Sequence, residues 1–174
     1  HAAFVHPGCL STQADLNRMA AKVAAKEQPW KGSWDILVGN HWFYYNQGPE
    51  AVPTVCVDSG TCGSNYMNLA RDSHRAYQCA LRYHGSGDTA YADKAVQIMN
   101  AWASAHTSWN GNSNVSLRQG LYGYAFACAA ELMRDYSGWQ ASDFAAFQQY
   151  MINQFYAGNS WFLNNLYGRC ESHY

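Results

Sequence analysis

Residues 65–102 read NYMNLARDSHRAYQCALRYHGSGDTAYADKAVQIMNAW. Leu69, Ala70, Ala76, Tyr77, Ala80 and Leu81 recur at spacings near three and four, which aligns them along one helical face. Gly85-Ser86-Gly87-Asp88-Thr89 then breaks the pattern. Gly85 and Gly87 suit a turn that needs positive φ, and Asp88 can accept from the free N–H groups of a following helix. Beyond the joint, Tyr91, Ala95, Ile98, Met99 and Trp102 restore the helical period. The stretch predicts an αα-hairpin.

Similar units extend to both sides. Thr12, with Asp15 three residues later, can cap a helix carrying Leu16, Met19, Ala20 and Val23, and Pro29 ends that pattern. Residues 39–63 differ: the aromatic run Trp42-Phe43-Tyr44-Tyr45, followed by Pro49, Pro53, Gly60 and Gly63, predicts a long irregular excursion with short extended pieces. After the hairpin comes the loop Asn110-Gly111-Asn112-Ser113-Asn114, then a helix through Leu117, Leu121, Tyr124, Cys128 and Leu132. A turn at Gly138-Trp139 leads to a last helix through Phe144, Phe147, Met151 and Phe155. No low-complexity linker divides the chain, and the expectation is one helical domain over residues 1–174.

Composition narrows the function. A formal charge of −1 argues against a general nucleic-acid binder, which needs an excess of Lys and Arg on one face. No apolar run approaches the length of a membrane span. Cys9, Cys56, Cys62, Cys79, Cys128 and Cys170 lack paired metal-binding spacing, which favours disulfides over zinc. Cys56 and Cys62 flank Asp58-Ser59-Gly60 and suit a short local bridge; the pairing of the others is not readable from sequence. With the sequon Asn114-Val115-Ser116 and a first residue His1 rather than Met, the chain reads as processed, soluble and secreted.

The hairpin wording Ala80-Leu81-Arg82-Tyr83, Gly87-Asp88-Thr89-Ala90-Tyr91-Ala92-Asp93-Lys94-Ala95 and Asn100-Ala101-Trp102 resembles the alginate-lyase-like family of helical polysaccharide lyases. The resemblance extends over His6-Pro7-Gly8, Asp15-Leu16, Pro29-Trp30, Trp34, Gly120-Leu121-Tyr122-Gly123-Tyr124, Glu131-Leu132, Tyr136-Ser137-Gly138-Trp139 and Phe144. It implies an all-α fold of antiparallel αα-hairpins in an α/α toroid, and cleavage of uronic-acid polysaccharides such as alginate or glucuronan. A complete toroid needs more hairpins than these, and the resemblance implies that related sequences continue past Cys170-Glu171-Ser172-His173-Tyr174. The expectation is a toroid truncated at its C-terminal side, its exposed helix faces covered by a second chain or a homo-oligomer.

The implied chemistry is β-elimination: a uronate C5 proton is removed and the C4 glycosidic oxygen leaves. An Asn, Gln or Arg donor must neutralise the carboxylate, a His or Tyr must take the proton, and a Tyr or His must supply one to the leaving oxygen. The resemblance implies no cofactor and no metal, and an acidic polysaccharide or oligosaccharide as partner. It also implies an Asn-Asn-His-Ser-Tyr-Trp type of segment, at whose place stand Glu171, Ser172, His173 and Tyr174. If Tyr174 matches the Tyr, Glu171 and Ser172 occupy the Asn and His places, so the candidates His173 and Tyr174 depart from the pattern by one position. Asn40-His41 offers a second donor and base pair.

Arg71, His74 and Arg75 at helical spacing, with Arg118, are candidate carboxylate ligands, and Tyr44 and Tyr45 are candidate sugar-stacking residues. Against these stand ordinary roles: pairing of the arginines with Asp72, Asp88 or Asp93, and packing of the aromatics. His1 with His6 could chelate copper only on paper, because the enzymes that use such a site are β-sandwiches. The competing reading is a catalytically inactive chain on the same scaffold, serving as a carbohydrate-binding, defence or toxin-like protein. Glycoside hydrolysis ranks last, since no Asp or Glu spacing singles out a carboxylate pair.

Overall fold

The computed structural model describes residues 4–40, 45–58 and 61–166. Among these, the chain is mostly helical: α1 (Gln13–Ala24), α2 (Trp30–Val38), α3 (Tyr66–Ser86), α4 (Thr89–Ala105), α5 (Asn114–Met133), α6 (Ala141–Met151) and α7 (Ala157–Leu166). Two short strands, β1 (Thr54–Val57) and β2 (Ser108–Gly111), pair in parallel with Thr54 opposite Ser108 and Val57 opposite Gly111. None of the described helices is long and apolar enough to cross a membrane.

The hairpin forms as its sequence predicts, with a shorter joint. Gly87 alone takes the left-handed conformation, at φ +75°, and its N–H donates to the Tyr83 carbonyl at 2.7 Å. Asp88 accepts from the Ala90 N–H at 3.0 Å and starts α4. Gly85 is helical instead of a turn residue. Its missing side chain makes room for the Trp34 ring of α2, which a Cβ at that position would strike. The helix Trp30–Val38 is absent from the periodicity reading; it is a short element whose Trp30, Trp34 and Leu37 line an apolar groove with Met19 and Val23 of α1.

At the N-terminal side, Thr12 and Asp15 form the reciprocal cap expected of them. Asp15 N–H donates to Thr12 Oγ1 at 3.2 Å and Thr12 N–H to Asp15 Oδ2 at 3.0 Å. Of the short extended pieces expected in the excursion after Gly39, the described residues contain one, β1; its strand partner β2 replaces part of the expected Asn-rich loop. Cys56 and Cys62 are bridged.

α5 forms, and Cys128 and Leu132 of the expected stripe are buried, but its first half turns a different face inward. Leu117, Leu121 and Tyr124 are 52%, 50% and 52% exposed, whereas Tyr122, Ala125, Phe126, Ala129, Leu132 and Met133 face the core. Gly123 decides the phase: a Cβ there would lie 2.7 Å from the Phe155 ring, so this face of α5 approaches the last helical segment too closely for larger residues. A π-helical turn at Ile152–Tyr156 joins α6 to α7 and carries Phe155 inward. Trp102, Phe126, Phe147, Tyr150 and Phe155 make a continuous web of tilted and edge-on aromatic contacts there.

α3 packs on both α4 and α5, α4 packs on α6, and α1 packs on α3. α3 and α5 run in the same direction. Tyr66, at the start of α3, stacks on Tyr122, and His84, near its end, reaches the Leu132 carbonyl near the end of α5. The arrangement is layered, with α3 and α5 side by side and α4 and α6 behind them.

Candidate functional site

The strand pair places the site. Asn65 sits between β1 and α3: its N–H donates to the Cys56 carbonyl at 3.0 Å, its Oδ1 accepts from Cys56 N–H at 2.7 Å, and its Nδ2 donates to the Thr54 carbonyl at 3.1 Å. β2 leads almost directly into α5. Pairing of the two strands therefore brings the first turns of α3 and α5 together, and with them Tyr66 and Arg118.

Arg118 lies over the Tyr66 ring, its guanidinium carbon 4.2 Å from the centroid. Its charge also lies close enough to Tyr122 to act on that phenol, and its Nε is buried without a hydrogen-bond partner. Tyr66 and Tyr122 stack with an interplanar angle of 12° at 6.5 Å, and His74 meets Tyr122 edge-on at 6.1 Å. Tyr66, His74 and Arg118 are half-buried, and Tyr122 is buried. His74 Nδ1 lies 2.8 Å from the Ala70 carbonyl. A carbonyl only accepts, so Nδ1 carries the proton in this contact. Burial pushes the Tyr122 phenol up, with the Arg118 charge drawing it the other way, so the hydroxyl keeps its proton at neutral pH. A cation, a phenol and an imidazole thus share one half-buried surface.

Other predicted residues lie elsewhere. Arg71 donates to Glu50 Oε2 at 2.6 and 2.9 Å and to Asn68 Oδ1 at 2.8 Å, so its charge is already matched. Arg75 does not share that face. It is fully buried against Asp72, whose carboxylate also accepts from Glu50 N–H at 2.5 Å and from Trp102 Nε1–H at 2.8 Å. This ion pair anchors the return of the excursion at Gly48–Glu50 onto α3, an architectural role instead of the substrate contact its spacing suggested.

Asn40 lies just past α2, whose final carbonyls, Leu37 and Val38, accept from Arg82 Nη2 at 2.6 and 3.2 Å. That places it toward the far end of α3 from Tyr66. Tyr45 is exposed and packs edge-on against Tyr91 at 5.0 Å. His41, Tyr44, His173 and Tyr174 lie outside the described residues.

The structure brings together His74 and Arg118 from the predicted set and adds Tyr66 and Tyr122. Tyr122 escaped the periodicity reading because α5 was phased on Leu117, Leu121 and Tyr124; the small residues Gly123, Ala125 and Ala129 mark the packed face. Tyr66 gives no local signal, since only the parallel strands bring it to Arg118. The groove between α1 and α2, lined by Met19, Val23, Pro29, Trp30, Ser33, Trp34 and Leu37, has no titratable side chain and cannot move a proton. No group of three or more His, Cys, Asp or Glu suited to a metal ion occurs among the described residues.

The family model described as alginate lyase matches residues 15–163, from the first turn of α1 into α7. Neither curated proteins nor solved structures gave a match. The matched region takes in both hairpin helices and the whole α3–α5 cluster, most of the chain, and so this protein belongs to the alginate lyase family.

Proposed function

We propose that the protein is a secreted polysaccharide lyase that cleaves a polyuronate such as alginate or glucuronan by β-elimination, and that its layered helical hairpins are part of an α/α toroid. The observation that carries this reading is the meeting of Arg118, Tyr122 and His74 in the N-terminal halves of α3 and α5 in a chain of this family. Arg118 holds the uronate carboxylate and stabilises the charge that develops there as C5 is deprotonated. His74 Nε2 accepts the C5 proton, and the Tyr122 hydroxyl, protonated at neutral pH, supplies a proton to the departing O4. The Tyr66 face offers an apolar platform beside the sugar ring. Asn40 with His41, and His173 with Tyr174, are the further candidate donors and bases in the sequence, of which His41, His173 and Tyr174 lie outside the described residues.

The test is the ultraviolet absorbance of the unsaturated uronate product on alginate and on glucuronan. Arg118→Ala lowers kcat/KM by roughly 10²–10³-fold, in the range for loss of a charge-stabilising donor. Tyr122→Phe and His74→Gln each lower kcat by roughly 10²-fold or more, while circular dichroism shows the helices intact. His173→Gln separates the two candidate bases: full activity there together with loss in His74→Gln supports the α3 imidazole, and the reverse moves the base to the chain's end. Folded protein that yields no unsaturated product from either polymer would refute the lyase reading.

A further inference from the structure

Cys9 is exposed and Cys128 is buried on α5, and Cys9 stands close enough to Cys128 to act on its thiol. Tyr77 and Tyr124 border both sulfurs, so the two side chains share one pocket between the N-terminal segment, α3 and α5. The backbones that carry them are held together independently. Gly8 N–H donates to Glu131 Oε1 at 2.8 Å, and His6 Nδ1 pairs with the same carboxylate. Glu131 lies one helical turn beyond Cys128, on the same side of α5. Burial pushes Glu131 up, but the His6 and Gly8 hydrogen bonds outweigh it and hold the carboxyl below its ordinary value, so the anchor is charged at neutral pH.

We propose that Cys9 and Cys128 form a disulfide bond that staples the N-terminal segment to α5. Cys56 and Cys62 are already bridged in the same chain, which fits a protein that matures among oxidants. The oxidant is a small-molecule or protein disulfide. The Cys9 thiolate attacks one of its sulfurs and expels the other as a thiolate, giving a mixed disulfide. The Cys128 thiolate then attacks the Cys9 sulfur and expels the second thiolate. Both cysteine protons end on the two departing thiolates, the cysteines lose two electrons and the oxidant gains them. Burial pushes the Cys128 thiol up to about 12, so the exposed Cys9 is the residue that meets the oxidant and Cys128 the one that resolves the mixed disulfide. Of the remaining described cysteines, Cys79 is buried on α3, and the groups that act on its thiol, Arg82, Arg75 and Lys94, include no cysteine.

The test is peptide mapping by mass spectrometry of the full chain folded in a glutathione redox buffer and alkylated in denaturant without reduction. The expected result is a linked pair of peptides containing Cys9 and Cys128, released by dithiothreitol, with Cys79 alkylated. Alkylation of both Cys9 and Cys128, or linkage of either to another cysteine, overturns the proposal. Cys9→Ser supplies the second readout: Cys128 becomes alkylatable in denaturant, and a Cys128 that stays blocked in this variant has a different partner and sinks the assignment.

Discussion

His106 is buried among Trp102, Trp109, Tyr150 and Phe155 and uses both ring nitrogens. Nε2 donates to the Ser108 carbonyl at 3.0 Å, which leaves Nδ1 to accept from the Tyr150 hydroxyl at 2.9 Å. The ring is therefore neutral, and burial lowers its pKa from 6.5 to about 4, the Ser108 hydrogen bond opposing only weakly. The sign follows from linkage. Below pH 6.5 the unfolded chain takes up a proton that the folded chain refuses until about pH 4, so stability is lost as pH falls through that window. The loss is on the order of 3 kcal/mol at one pKa unit per 1.36 kcal/mol. Urea unfolding of the native chain is expected to show this slope, and His106→Asn to flatten it. Residue-scale features were legible in sequence where their partners are local. Thr12 with Asp15, and Asp88 with Ala90, read correctly because a cap is decided within one turn. Arg75 did not, because its burial depends on Trp102 and on the returning excursion as well as on its neighbour Asp72.

At the scale of elements, Gly85 and the phase of α5 are the places where helical period alone misleads. Gly85→Ala raises intrinsic helix propensity by about 1 kcal/mol. Yet its Cβ would meet the Trp34 ring, and the overpacking costs about 1–3 kcal/mol. The expected outcome is a lower thermal midpoint, with the Trp34 fluorescence environment altered; a stabilised variant would mean that α2 moves aside freely. On α5, Leu121→Lys is expected to change stability by no more than about 0.5 kcal/mol, as at an ordinary surface position, whereas Phe126→Ala costs about 3–5 kcal/mol. Denaturant midpoints of the two variants check the phase directly. The helical period places Leu117, Leu121, Tyr124, Cys128 and Leu132 inward because it takes apolar residues to be buried, and it holds for Cys128 and Leu132. Leu117, Leu121 and Tyr124 form instead an apolar stripe facing outward, and α5 turns its small residues inward, where Phe155 fits against Gly123.

For the molecule as a whole, a two-strand pair of four residues each governs the alignment of helices far larger than itself. Gly111 is its tightest point: at φ +149° it lies against Val57, where a Cβ would fall on the Val57 carbonyl. Gly111→Ala should separate β1 from β2 and shift Arg118 away from Tyr66. On the proposed lyase reading, KM for polyuronate then rises on the order of tenfold, since misplacement of binding groups by about an ångström has large kinetic costs. Helix content stays near wild type, because the α3–α4 and α4–α6 contacts do not pass through the strands. Steady-state kinetics beside circular dichroism separates these outcomes. From the sequence by itself came the helical class, the hairpin, its caps, the Cys56–Cys62 bridge and the family, all of which rest on neighbours within a few turns or on the wording of the chain. Only the tertiary structure decided that Arg75 lies inside, that α5 turns Tyr122 rather than Leu121 inward, and that Tyr66, His74, Tyr122 and Arg118 meet. Those outcomes depend on strand pairing and close helix contact between segments some fifty residues apart, and no local period encodes which distant surface a side chain will face.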